Sequence, residues 1–256
     1  MRLQPSKFDN PYLILNRNIM AKLKYKRVLL KLSGEVLLGS QDFGIDAEVA
    51  DFIAAEIKEL VKIKAKVVIV FGGGNISRGR DAHRKGYDRI TGDRIGMLGI
   101  VMNSLALGNA LSKINVANKV YSAVDMPKIC ASYSHEKALD DLEDGKVVII
   151  GGGTGSFHFS TDTAAALRAC ELDCEVVLKA TKVDGVYDKD PQKFPEAKKI
   201  SELHYLDLIN NDYKVMDFTA VTLCMDNKLP ILVFELMKRD NIKKAILGEK
   251  IGTIID

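Results

Sequence analysis

The sequence predicts an α/β fold in which a mainly parallel sheet is covered by helices on both faces. Three observations carry that prediction. Short apolar runs such as Val67-Val68-Ile69-Val70-Phe71 are continuous rather than alternating, as in strands buried on both sides. Segments with the 3.6-residue helical period separate these runs. The chain has 256 residues, 47% hydrophobic and 28% charged, enough for a large core without disulfide or metal staples.

Residues 1–24 read as a tail, disordered or upstream of the true start, since Met20 precedes a basic lead-in of Lys22, Lys24, Lys26 and Arg27. One unit is expected over 25–256. Its first strand is Val28-Leu29-Leu30. Asp46 can cap a helix over about 47–64, with Val49, Phe52, Ile53, Ile57, Leu60 and Val61 on one face. Strand 67–71 follows. A long helix is expected from about Asp93 to Ile114; it is apolar nearly all round, so it should be buried on more than one side, in a core or at a subunit contact. Strand 119–124, helix 135–143, strand 147–150, a helix from Asp162 to about Asp173 and strand 176–179 come next. Helices near 202–209 and 217–227, strand 231–234, a helix near 240–247 ended by Gly248, and strand 253–255 complete the unit.

Composition removes several function classes. The net charge is 37 − 34 = +3, aromatics are 7% and Trp is absent, so neither a polybasic nor a base-stacking surface is expected and nucleic acid is not favoured as a partner. No apolar run is expected to approach the ~18–20 residues that span a bilayer. The N-terminal Tyr12-Leu13-Ile14-Leu15 is shorter than the ~7–15 residues of a signal-peptide core, and a cytoplasmic location is expected. Cys130, Cys170, Cys174 and Cys224 have no C-x-x-C spacing. Cys170 and Cys174 stand one helical turn apart, but without a second pair or a nearby His they read as small buried hydrophobes. No metal site built from protein ligands is expected.

The chemistry gathers at three strand ends: Lys31-Leu32-Ser33-Gly34, then Gly72-Gly73-Gly74-Asn75 running on to Arg78 and Gly79, then Gly151-Gly152-Gly153-Thr154-Gly155 with Ser160-Thr161-Asp162 behind it. Ligands of such sheets bind beyond the carboxyl ends of strands. Glycine lets backbone N–H groups approach an anion closely, and a helix N-terminus behind the loop adds a positive dipole end. One glycine run can be a tight turn; three on successive strands point to a polyphosphate. The two familiar phosphate motifs fail. Gly34-x-x-x-x-Gly39 is followed by Ser40-Gln41, so there is no P-loop, and Ser156 stands where G-x-G-x-x-G would need its last glycine. What remains is Lys31, Lys179 and Asp162. A single lysine at a strand end is ordinarily a solvated flank, and Asp162 would serve as an ordinary helix N-cap. Two lysines beside three glycine loops favour phosphoryl transfer, where catalysis is mostly positioning and charge neutralisation. A phosphate acceptor needs no general base, because its second pKa of ~6 leaves it anionic at neutral pH.

These residues resemble the amino acid kinase superfamily, and within it the bacterial uridylate (UMP) kinase family. The likeness is carried by Tyr25–Glu35, Phe43-Gly44-Ile45-Asp46, the Gly72–Gly79 loop, Gly92-Asp93 and Leu178–Tyr187 with Asp190-Pro191 following. Val215-Met216-Asp217 and Gly248-Glu249-Lys250-x-Gly252-Thr253 extend it to the C-terminal part. Gly92-Asp93 and the Thr154–Thr161 segment resemble UMP kinases rather than the relatives that phosphorylate amino acids.

The resemblance implies a three-layer αβα sandwich, transfer of the ATP γ-phosphate to UMP with Mg²⁺, a homohexamer, activation by GTP and inhibition by UTP. It also implies site roles. Lys31, Leu32, Ser33, Gly34 and Lys179 would hold the ATP phosphates, and Asp162 would orient the two lysines. Gly74 and Arg78 would lie along the phosphate track, Gly73 would touch UMP, and Asp93 would accept from its ribose. Thr154, Gly155, Ser156, Phe157, His158, Phe159, Ser160 and Thr161 would line the UMP pocket, and Thr181, Tyr187 and Asp190 would hold the adenosine. One departure stands out. The family's pyrimidine loop is expected to read Gly-Thr-Gly-Asn-Pro-Phe-Phe-Thr-Thr-Asp, and here Ser156 and Phe157 replace Asn and Pro and His158 is new. The rival readings are a carboxylate or carbamate kinase of the same superfamily and a non-catalytic nucleotide or oxyanion store. A pyrimidine-sensing regulator is a third, as a second role.

Overall fold

The computed structural model describes residues 23–77, 86–191, 193–211, 213 and 215–256. The tail, up to residue 22, and Arg78 and Gly79 therefore lie outside the described residues.

In chain order the elements are β1 (Arg27–Leu32), α1 (Ala47–Lys62), β2 (Lys66–Phe71), α2 (Arg89–Lys113), β3 (Asn118–Ser122), β4 (Ala131–Ser132), α3 (His135–Glu143) and β5 (Val147–Gly151). Then come α4 (Thr161–Glu171), β6 (Val176–Thr181), β7 (Val186–Tyr187), β8 (Lys199–Ile200), β9 (Glu202–Leu203), α5 (Tyr205–Asn210), α6 (Phe218–Asp226), β10 (Ile231–Glu235), α7 (Asn241–Leu247) and β11 (Thr253–Ile255). A short 3₁₀ helix, Gly34–Leu38, follows β1. One nine-stranded sheet runs β4-β3-β5-β2-β1-β6-β10-β11-β9, and β7 pairs with β8 beside it. Every pairing in the large sheet is parallel except that of β10 with β11.

The period-2 geometry of buried strands explains the layering. Along β1, Val28, Leu30 and Leu32 face one core layer with Ile53 and Ile57 of α1, Leu107 and Leu111 of α2 and Ile246 of α7. Leu29 faces the other, with Leu142 of α3, Ala165 and Ala169 of α4 and Val221 of α6. Both faces are covered, which is why the strands read as continuous apolar runs.

By length and composition α2 could cross a membrane, although half of its most apolar stretch is buried inside the fold. The expectation that no apolar run approaches a bilayer-spanning length is thereby corrected: α2 is apolar enough overall although it contains Asn103, Ser104 and Gly108, all buried, which interrupt the pattern in the chain. It packs on α1, β3 and β5 as a core helix.

Four further expectations need correction. The long helix begins at Arg89 rather than near Asp93, because Asp88 caps it, accepting from the Thr91 N–H at 2.9 Å. The cap of α4 is Ser160, whose hydroxyl accepts from the N–H groups of Asp162 and Thr163, so Asp162 is not a cap. The helix expected near 202–209 starts only at Tyr205; Glu202–Leu203 is extended because it pairs with β11 at the sheet edge. Strand 119–124 stops at Ser122, where the Ser122 hydroxyl accepts from the Val124 N–H and turns the chain.

Candidate active site

Parallel pairing sets Lys31 of β1 directly beside Lys179 of β6. Their stems are buried in the sheet, and both ammonium groups reach one carboxylate from the first turn of α4. Lys31 Nζ lies 2.7 Å from Asp162 Oδ1, and Lys179 Nζ donates to Asp162 Oδ2, also at 2.7 Å. Lys179 Nζ donates in addition to the Val215 carbonyl. Burial opposes the charge on Asp162, yet the two ammonium groups outweigh it and hold the carboxyl below its ordinary value. Burial likewise pushes the Lys179 ammonium down, against the pull of Asp162.

This triad lies on the wall of a cavity of about 740 Å³. Among the residues singled out from the sequence, Lys31, Ser33, Gly34, Gly73, Gly74, Asp93, Thr154, Ser156, His158, Phe159, Ser160, Thr161, Asp162 and Lys179 line it together. Leu32, Gly155, Phe157, Thr181, Tyr187 and Asp190 do not. Leu32 is fully buried in the core. The Thr181 hydroxyl donates to the Val183 carbonyl at 2.7 Å, and the Tyr187 hydroxyl donates to Asp184 at 2.6 Å.

The glycine loops are close to one another and fixed from behind. A Cβ on Gly34 would stand 2.4 Å from the Gly72 carbonyl oxygen, so only glycine lets these two loops meet. The Gly72 carbonyl accepts from Asn103 Nδ2 at 2.8 Å, and Asn103 and Asn75 exchange two amide hydrogen bonds, each 2.8 Å. Both amides are buried, which explains a polar residue midway along the apolar α2.

Asp93 sits in the second turn of α2. It accepts from Arg89 Nε and, at 2.8 Å, from the His158 N–H, so it ties the loop after β5 to the helix. The next residue, Arg94, stacks over the Phe157 ring at 5.4 Å. His158 has a φ of 69° in the left-handed region. The departure segment is therefore held by its backbone and by Phe157, while its Ser156 N–H donates to Thr154 Oγ1.

Sequence reasoning gave no site role to two further acids of the lining, Glu35 and Asp217. Asp217 caps α6 and lines the cavity; its Oδ1 accepts from Thr163 Oγ1 at 2.9 Å and its Oδ2 from the Ser160 hydroxyl. For Asp217 the signals were its place in the Val215-Met216-Asp217 likeness, which carried no site role, and an Asp just ahead of a helix, a pattern shared with every ordinary cap. Among the described residues there is no group of three or more His, Cys, Asp or Glu side chains placed to hold a metal ion.

The model of the family described as "Amino acid kinase family" matches residues 26–235. A solved UMP kinase structure from Bacillus anthracis is similar to this chain at 37% identity with a TM-score of 0.87, covering 91% of this chain and 96% of that one. A UMP kinase from Ureaplasma parvum matches at 35% identity and a TM-score of 0.85, covering 90% and 98%. A uridylate kinase from Archaeoglobus fulgidus matches at 27% identity and a TM-score of 0.69, covering 90% and 99%.

Proposed function

The chain belongs to the amino acid kinase family, and on that premise we propose that it transfers the γ-phosphate of ATP to UMP, giving UDP and ADP. The observation that carries this reading is the Lys31–Asp162–Lys179 triad, set by β1–β6 register on the wall of a cavity that also receives three glycine loops. Two lysines sharing one carboxylate leave a net positive charge facing the cavity. That charge screens repulsion between two anionic phosphates and grows in value as charge spreads over the transferring group. Asp162 holds the two like charges side by side in register and offsets the burial that would strip Lys179 of its proton.

In this reading Lys31, Ser33, Gly34, Gly74 and Lys179 hold the ATP phosphates, with Arg78 along the same track, while Leu32, buried in the core, serves only as the strand residue that sets Lys31 and Ser33 on either side of it. Gly73, Asp93 and the 154–161 loop receive UMP. Thr181, Tyr187 and Asp190 serve the adenosine side. Both Asp162 oxygens are occupied by lysines, so no carboxylate of the triad is left for a metal. Mg²⁺ fits as a companion of the ATP phosphates. A homo-oligomer, a GTP activator, a UTP inhibitor and a cytoplasmic location belong to the same reading, as does a single αβα unit over 25–256.

A coupled ADP-release assay tests it. ADP formation with UMP, well above that with CMP, acetylglutamate, aspartate or carbamate and abolished by chelating Mg²⁺, is the expected result. Faster turnover of a carboxylate or carbamate acceptor would replace this reading with that of another kinase of the family.

Asp93→Asn separates acceptor binding from helix capping. Since Asp88 is the cap, the variant should melt close to the wild type. It should raise the KM for UMP roughly tenfold, as loss of a charge-assisted hydrogen bond would, with the KM for ATP nearly unchanged. Equal loss for both substrates would remove Asp93 from the acceptor side.

The outer face of α2 bears on assembly. Ile90, Leu98 and Met102 are all exposed, and their spacing of four and eight residues puts them on one stripe. Together with the apolar length of α2 this face suits a second copy of the chain. Light scattering at micromolar concentration should give a mass several times 28.2 kDa; a stable monomer would contradict it.

A further inference from the structure

Behind the acceptor loop lies a buried arginine that the reaction does not directly use. Arg168, on α4, is only 5% exposed and does not line the cavity. One arm of its guanidinium, Nη1, lies 2.5 Å from Glu171 Oε2, and the plane stacks over the Tyr133 ring at 4.2 Å. The Tyr133 hydroxyl donates to the same Glu171 oxygen at 2.8 Å. The other arm, Nη2, reaches forward and donates to the Thr154 carbonyl at 3.3 Å. Nε is buried without a hydrogen-bond partner among the described residues.

Burying a guanidinium is unfavourable unless its partners compensate, and a partner on Glu171 alone would not require the second arm to face the loop. The loop supplies the reason. Gly152, Gly153 and Gly155 all have positive φ, at 77°, 65° and 83°. A turn so rich in glycine has little conformational preference of its own and must be fixed from outside. The Thr154–Gly155 peptide is held at both ends: its N–H donates to the Gly152 carbonyl at 3.1 Å, and its carbonyl accepts from Arg168. The Thr154 side chain bonds within the loop, to the backbone of Ser156, and so does not anchor the turn to the rest of the fold.

We propose that Arg168 is a positioning residue for the acceptor subsite, its guanidinium clamping the Thr154 carbonyl so that the turn after β5 presents Thr154 to the acceptor nucleotide in one geometry. The clamp needs the planar fork, because Glu171 and Thr154 lie on different arms. The Tyr133 ring, by stacking, and Glu171, by its ion pair, hold the fork in place. The ATP side is built on β1 and β6, and the fork's hydrogen bonds go to Glu171 and Thr154 instead. The inference rests on UMP being the acceptor.

The test is steady-state kinetics of full-length wild type, Arg168→Lys, Arg168→Met and Tyr133→Phe, varying UMP and ATP separately, with melting temperatures taken with and without each nucleotide. Arg168→Lys keeps the charge but loses the fork. It should raise the KM for UMP roughly tenfold and reduce the stabilisation that UMP gives in the melt, with the KM for ATP within about twofold of wild type. Arg168→Met should show the same split more strongly. Tyr133→Phe keeps the stack and the fork, and should stay near wild type. Arg168→Lys that moves both KM values equally, that moves neither, or that does not fold overturns the proposal and leaves Arg168 a fold residue only. A wild type that does not turn over UMP overturns the functional reading itself, and this inference with it.

Discussion

Lys31→Ala is expected to lower kcat roughly 10²-fold or more, about 2.7 kcal/mol of transition-state stabilisation, with smaller changes in either KM. The reason lies in where the ammonium stands. Lys31 is held by β1 in register with Lys179, and its Nζ is fixed 2.7 Å from Asp162, so it is organised before substrate arrives. A preorganised charge costs no reorganisation at the moment of transfer and gains most as negative charge spreads over the moving phosphoryl group. Ground-state binding of ATP has other donors around it: Ser33 and the glycine loops line the same cavity. Lys31→Arg should recover little, because a planar fork on a buried strand cannot place a compact charge at the same point. Single-turnover rates at saturating ATP and UMP read the chemical step directly. A variant with near-normal kcat would remove Lys31 from the phosphate machinery.

The elements that are legible in the chain share a physical cause. Strand Val67–Phe71 can be read because a strand buried on both faces must be apolar throughout, and α1 because its Asp46 cap precedes an apolar stripe; the structure gives Lys66–Phe71 and Ala47–Lys62. Four two-residue strands, β4, β7, β8 and β9, cannot be read, since two residues carry no period. Capping is the weakest point. Asp88, Asp93, Ser160 and Asp162 all precede or open helices, and nothing local says which oxygen faces the backbone. Tertiary partners decide it: two lysines claim Asp162, and the His158 N–H claims part of Asp93. Much of the site is legible as well, because glycine runs and lysines mark phosphate chemistry in the chain itself. Arg168 and the Asn75–Asn103 pair are not. They hold backbone carbonyls at Thr154 and Gly72, 14 and 31 residues away, and only the fold brings those groups together.

Asp162→Asn should have the largest effect on stability, and its sign with pH follows from the charges left behind. The substitution keeps the size of the side chain and removes the carboxylate that both ammonium groups touch. Breaking a largely buried ion pair from one side is worth about 3–5 kcal/mol, which for a chain of this length lowers the melting temperature by roughly 6–20 °C at pH 7. In the wild type the folded Asp162 value lies below the unfolded one, ~3.9, so its contribution is complete above that pH and is lost as pH falls through the folded value. The variant should therefore show a shallower loss of stability below about pH 4. Lys179 shifts stability with pH in the same direction, over a higher range. Its folded value is already lowered by burial, and without Asp162 it falls further. The unfolded chain, with lysine near ~10.4, then binds the extra proton across the interval between the two values, so stability rises with pH there. Raising the pH from 7 to 9.5 should restore part of the deficit in Asp162→Asn and more than any gain in the wild type. Melting curves of both proteins at pH 3.5, 7 and 9.5 measure this, with kcat at pH 7 expected to fall alongside. A deficit that is the same at all three pH values would mean that Asp162 acts by packing and not by holding Lys179 charged.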